Sequence, residues 1–112
     1  MDLKRGDIVT VAPPGDFGKP RPALVIQDRI YSETELVTVA LITTDSRSLP
    51  NVRILIEPTP ENGLVRTSYV MVDSVQTYRR TKIGSVIGMA DVATLRRTRD
   101  ALIVFLGFDR EL

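Results

Sequence analysis

The sequence predicts a mainly β protein, a small and strongly bent sheet or barrel of about six strands closed by one C-terminal amphipathic helix. Two observations carry this. Most of the 112 residues fall into short runs with a period of two, rich in β-branched side chains and separated by Gly, Pro, Asn and Asp turns. Only the last stretch spaces its apolar residues as a helix does. The length suits a single domain, residues 1–112, with one core.

"DIVTVA" (7–12) opens the set. "PALVIQ" (22–27) is a continuous apolar run, as expected of a strand buried on both faces, and "ELVTVALIT" (35–43) is rich in β-branched residues. "NVRILIE" (51–57) alternates Val52, Ile54 and Ile56 against Asn51, Arg53, Leu55 and Glu57. "SYVMVDSV" (68–75) and "KIGSVIGM" (82–89) complete the strands. Turn chemistry separates them at 12–20, 28–34, 44–51 and 57–63. Asp91 is a good N-cap, and Val92, Leu95, Leu102, Phe105 and Leu106 form one apolar stripe, read as core packing. Gly107 supplies the stop.

Composition narrows the chemistry. Cysteine, histidine and tryptophan are absent, so disulfides, thiolate chemistry and the usual zinc ligand sets are excluded, and neither metal nor cofactor is expected. Without histidine, acid–base work falls to another group. Net charge is only +1, yet six basic residues against one acid, Asp91, lie between Arg79 and Arg99. No stretch approaches the roughly 20 apolar residues of a membrane span, and no secretion signal precedes the first strand, so a cytoplasmic protein is expected.

Three loops hold what chemistry there is. "PPGDFGKPR" (13–21) carries Asp16, Phe17 and Lys19 and ends on Arg21, which stands between two prolines. Prolines fix φ and push the preceding residue toward extended backbone, so this guanidinium is aimed. "TTDSRSLP" (43–50) opens with two hydroxyls at a strand end, and "VDSVQT" (72–77) sets Asp73 in an apolar strand. Arginine neutralises a phosphate with two parallel hydrogen bonds, a threonine hydroxyl adds a third, and a nearby carboxylate can accept a proton. Each residue also has a plainer reading. Arg21 can be a solvated charge, Asp73 a turn cap or an ion-pair partner, and Arg79, Arg80 and Lys82 a charged edge that blocks strand pairing.

In combination, "KRGDIV" (4–9), "RPALVI" (21–26), "ITTDSRSLP" (42–50), "VDSVQT" (72–77) and "LGF" (106–108) resemble the MazF/PemK family of toxin endoribonucleases over nearly the whole chain. The resemblance implies an SH3-like barrel with a C-terminal helix, a homodimer, and a co-encoded antitoxin that holds the toxin inactive. It also implies metal-independent, sequence-specific cutting of single-stranded RNA. By position, Arg21 matches the family's catalytic arginine and Thr43 its threonine. Asp16 falls on the acidic residue of the first loop, and Asp73 on an aspartate of the third region. Phe17 is then a base-stacking candidate. Lys19, Thr44, Ser46, Arg47, Arg79, Arg80 and Lys82 are candidate RNA contacts. The first loop departs from the family's Glu-Gln pair by carrying Asp16-Phe17. Two other classes fit a barrel of this size: a CcdB-type gyrase poison, which relies on a C-terminal tryptophan absent here, and a non-catalytic SH3-like binding module, which relies on an aromatic cluster.

Overall fold

Apolar side chains alternate onto both faces of the three central strands, and each face builds its own core. The computed structural model describes residues 2–13, 15, 18–47 and 51–111. Its strands are β1 (Asp7–Val11), β2 (Arg21–Val25), β3 (Leu36–Thr43), β4 (Arg53–Ile56), β5 (Ser68–Arg79) and β6 (Val86–Met89), followed by helix α1 (Val92–Leu106). They form one antiparallel sheet in the order β4-β5-β3-β2-β1-β6. Val9, Val11, Ala23, Val25, Val37 and Val39 pack on one face with Leu3 and Ile83. Ile8, Leu24, Ala40, Ile42 and Val70 pack on the other with Ile56, Leu64 and Ala90. The continuous apolar run of β2 has this cause, as its sequence implied.

Strand β5 runs on to Arg79, four residues past the end that its apolar pattern indicates, because Thr77, Tyr78 and Arg79 still pair with Thr38, Val37 and Leu36. Polar outward residues hid that extension. Against β3 it also bulges, since Ala40 pairs with Val75 but Ile42 with Val70. Strand β6 begins later than "KIGSVIGM" suggests, because Arg80–Lys82 form a 3-10 turn.

The sheet curls until its two outer strands are tied together by the loop after β4. Asn62, buried, organises that loop: its Oδ1 accepts the N–H groups of Thr59 (3.0 Å) and Leu64 (2.9 Å), and its Nδ2 donates to the Glu57 carbonyl at 2.8 Å. Met89 N–H then donates to the Glu61 carbonyl at 2.9 Å, joining the loop to β6. The approach is so close that a Cβ on Gly88 would lie 2.3 Å from the Asn62 carbonyl carbon.

Helix α1 begins and ends as its caps predict. Asp91 accepts the Thr94 N–H at 2.8 Å, which holds its carboxyl below the usual range, and Gly107 adopts the left-handed conformation. Its buried face differs from the sequence expectation. Thr94, Thr98 and Ala101 are buried, while Val92, Phe105 and Leu106 are 60%, 47% and 57% exposed; Leu95 and Leu102 are half-buried. The helix lies against β4 and β5 through small side chains, and Arg97 Nη1 donates to the Leu55 carbonyl at 2.9 Å. Thr98 satisfies its buried hydroxyl by donating to the Thr94 carbonyl. The larger apolar residues therefore form an open surface.

Candidate active site

Antiparallel register brings the first residue of β2 to the last of β3. Ala23, Leu24 and Val25 pair with Leu41, Ala40 and Val39; beyond the last of these rungs the two strand ends bring Arg21 and Thr43 to the same cavity. Opposite residues share a face. Arg21 is exposed and Thr43 half-buried. Both line a cavity of about 390 Å³, with Pro13 and Gly15 of the first loop, Thr44, and Met71 of β5. Thr43 pairs with Tyr69, so alternation along β5 puts Met71 on this same face, and the ion pair of Asp73 with Arg53, which pairs with Met71, brings Asp73 beside it.

Local hydrogen bonds set the threonine's role. Its Oγ1 accepts the Asp45 N–H at 3.1 Å, so one lone pair is engaged and the hydroxyl hydrogen can be donated toward the cavity. Asp45 in turn accepts from Arg47, at its backbone N–H (2.9 Å), Nε (2.8 Å) and Nη2 (2.6 Å). The Arg47 side chain lowers the Asp45 pKa from 3.8 to about 2, with its backbone N–H adding to the effect. A lowered folded-state pKa stabilises the turn fully above about pH 4, and that support is lost as the pH falls from about 4 to about 2. Carboxyl NMR titration of Asp45 should therefore show a midpoint near 2, returning toward 3.8 in Arg47→Gln.

The other sequence candidates are dispersed. Asp73 stands in the bulged part of β5 and forms an ion pair with Arg53, its Oδ1 lying 3.4 Å from Nε. That contact is electrostatic, since the buried Arg53 Nε makes no hydrogen bond. Lys19 and Ser46 are exposed beside the first and second loops and do not line the cavity. Arg79 pairs with Leu36 at the opposite end of β3 from Thr43, about 23 Å along the strand at ~3.3 Å per residue. Lys82 follows in the next turn. Arg80 is occupied locally, donating to the carbonyls of Thr34 (2.8 Å) and Ser32 (2.6 Å). Its charge braces a loop, a use that a count of basic residues cannot foresee. Asp16 and Phe17 lie outside the described residues.

Sequence reasoning missed Arg53 as a neighbour of this site. The only signal was its place on the outward side of "NVRILIE", and its relation to Met71 needs the strand register. Among the described residues no group of His, Cys, Asp or Glu gathers closely enough to hold a metal ion.

An antiparallel, curled sheet with a C-terminal helix, and with Arg21 and Thr43 lining one cavity, makes a small half-barrel fold. The family model described as PemK-like, MazF-like toxin of type II toxin–antitoxin system matches residues 4–106, and the chain belongs to that family. A relative named probable endoribonuclease MazF, from Mycolicibacterium smegmatis, is 44% identical over 106 residues, covering 94% of this chain and 97% of its own. Among solved structures, the Mycobacterium tuberculosis toxin MazF-mt6 superposes with a TM-score of 0.76 at 26% identity, covering 95% of this chain and 99% of its own. A MazE–MazF complex from Deinococcus radiodurans gives 0.76 at 22% identity over 96% and 97%, a likeness of fold. An endoribonuclease in complex with its cognate antitoxin, from a mycobacterial species, gives 0.75 at 23% over 95% and 94%.

Proposed function

We propose that this toxin is an endoribonuclease that cuts single-stranded RNA at specific sequences, without metal, by attack of a ribose 2′-OH on the adjacent phosphorus. The O2′–P bond forms, the P–O5′ bond breaks, and the products carry a 2′,3′-cyclic phosphate and a 5′-OH. Arg21 and Thr43 lining one cavity is the observation that carries this reading. The substrate supplies the nucleophile, so the protein must stabilise charge on the phosphorane and move two protons. Arg21 does the first and donates toward the leaving 5′-oxygen. Thr43 holds a non-bridging oxygen with its free hydroxyl hydrogen. Asp16 is the first candidate for the proton acceptor, and Asp73, beside the site but paired with Arg53, the second. Thr44 at the rim, with Ser46 and Arg47 following it in the second loop and Lys19 in the first, contacts RNA near the cut, and Phe17 stacks on a base. Arg79 and Lys82, at the far end of β3, follow the chain beyond it.

The toxin acts in the cytoplasm, as one domain over residues 1–112, under the control of a cognate antitoxin. Relatives of this fold are solved as complexes with their antitoxins. The exposed apolar residues of α1, with Phe108 just after it, support an assembly that covers them: a homodimer, the antitoxin, or both.

The test uses an RNA of mixed sequence in EDTA, followed by analysis of the fragment ends. Cyclic phosphates and 5′-OH ends are expected. A single 2′-deoxy substitution at the cut nucleotide should abolish cleavage, and the same sequence in a duplex should survive. Cleavage of the deoxy-substituted strand, or 5′-phosphate ends, refutes the mechanism.

A further inference from the structure

We propose that Arg53 is a second RNA contact of this site, binding the backbone phosphate of a nucleotide next to the cut, with Asp73 as the resident counter-ion that holds the guanidinium until RNA arrives. The inference rests on the ribonuclease reading and deepens it.

Position comes first. Arg53 on β4 pairs with Met71 on β5, and Met71 lines the cavity of Arg21 and Thr43. Two residues along, Leu55 and Tyr69 form the next rung on the same face, and Tyr69 pairs with Thr43. Arg53 thus shares a face with Thr43, two strands over and two residues along. From a strand spacing of ~4.8 Å and a rise of ~3.3 Å, their α-carbons lie about 12 Å apart. A polynucleotide centred on Arg21 has to pass over that neighbourhood or turn away from it.

The state of the guanidinium is the second observation. Four arginines elsewhere in the chain spend their donors: Arg47 on Asp45, Arg80 on the Ser32 and Thr34 carbonyls, Arg97 on the Leu55 carbonyl, Arg99 on Asp100. Arg53 has its side chain only 19% exposed and its Nε buried, yet it makes no hydrogen bond with another described residue. Asp73 faces it at 3.4 Å in a geometry that leaves the bond unmade. Arginine–carboxylate pairs frequently close as two parallel hydrogen bonds, and at its Nε this one makes none. Here the charge is balanced while the planar fork keeps its donors, the condition suited to an incoming tetrahedral anion. Exchanging Asp73 for a phosphate oxygen keeps the cation neutralised, and the displaced carboxylate, a quarter exposed, is left to solvent.

The experiment measures binding and cutting separately. Binding of an RNA made uncleavable by a 2′-deoxy cut nucleotide is followed by fluorescence anisotropy over a range of salt, with wild type, Arg53→Gln, Arg53→Lys and Asp73→Asn. Loss of one phosphate contact should flatten the slope of log K against log salt by about 0.7 in Arg53→Gln. KM should rise about tenfold, with kcat little changed and the same sequence cut. Arg53→Lys should recover most of the slope, and Asp73→Asn should bind at least as tightly as wild type. A wild-type slope and KM in Arg53→Gln overturns the proposal. So does a changed cut sequence with an unchanged slope, which would make Arg53 a reader of bases. Equal weakening by Asp73→Asn and Arg53→Gln also overturns it, since the pair would then be structural. Wild-type cutting, measured on the cleavable RNA in parallel, separates this outcome from failure of the ribonuclease reading itself.

Discussion

Arg21→Ala should lower the rate of RNA cutting by about 10²–10³ while leaving the fold and its melting temperature near wild type. Its first half follows from what develops in the reaction. Negative charge grows on the non-bridging oxygens as the fifth bond to phosphorus forms, and a two-pronged cation already in place meets that charge without reorganising. Alanine removes it, and Thr43, a neutral donor, cannot replace a full charge. The second half follows from exposure: Arg21 stands at the open end of β2, and the packing of that strand resides in Ala23, Leu24 and Val25. Arg21→Lys should fall between the two, because an ammonium supplies the charge but not the fork. Single-turnover rates at saturating RNA, with thermal melts of each variant, decide the matter. A variant that cuts at the wild-type rate removes Arg21 from the chemistry.

The largest expected loss of stability is at Gly63. Its φ is +71°, and a Cβ there would lie 2.1 Å from the Ile87 carbonyl oxygen, a fixed backbone atom of the opposing edge. Two costs therefore combine in Gly63→Ala. A left-handed backbone costs an L-residue about 1–2 kcal/mol, and the clash forces the loop away from β6, disturbing the Asn62 hydrogen bonds and the Glu61–Met89 link. About 3–4 kcal/mol in total is expected, near the upper end for single substitutions, and a fall in Tm of about 15 °C or more. Gly18→Ala supplies the comparison. Its φ is +73° but no described residue lies within 4 Å of the added carbon, so only the first cost should appear. Similar melting of both variants would show that closure of the sheet edges contributes little.

Much of this architecture is legible in the sequence, and the reasons for the failures are specific. Period-two alternation and turn residues mark all six strands, since burial on one or both faces dictates them directly. Asp91 and Gly107 mark the helix because capping is local chemistry. The buried face of α1 is not legible in this way. A stripe of Leu, Val and Phe has the same spacing whether it meets a core or remains open to a partner, and the inner face here is made of Thr94, Thr98 and Ala101. Arg21 and Thr43 could be paired from the family resemblance, and the antiparallel β2–β3 hairpin, whose ends line one cavity, gives the physical reason that they come together. The basic residues were harder. Charge counting does not reveal that Arg80 is bound to backbone carbonyls or that Arg47 is matched by Asp45. Arg53 and Asp73 are neighbours only because β4 pairs with β5 beside a bulge, a relation between segments 20 residues apart that no local pattern encodes.

The two prolines beside Arg21 have a thermodynamic consequence. Rotations that an ordinary chain would surrender on meeting its ligand are already surrendered at the ribosome's product, in the rings of Pro20 and Pro22. In the proposed role of Arg21, each encounter with RNA then leaves more of the contact energy for the reacting bonds, because little of it goes into stilling the protein.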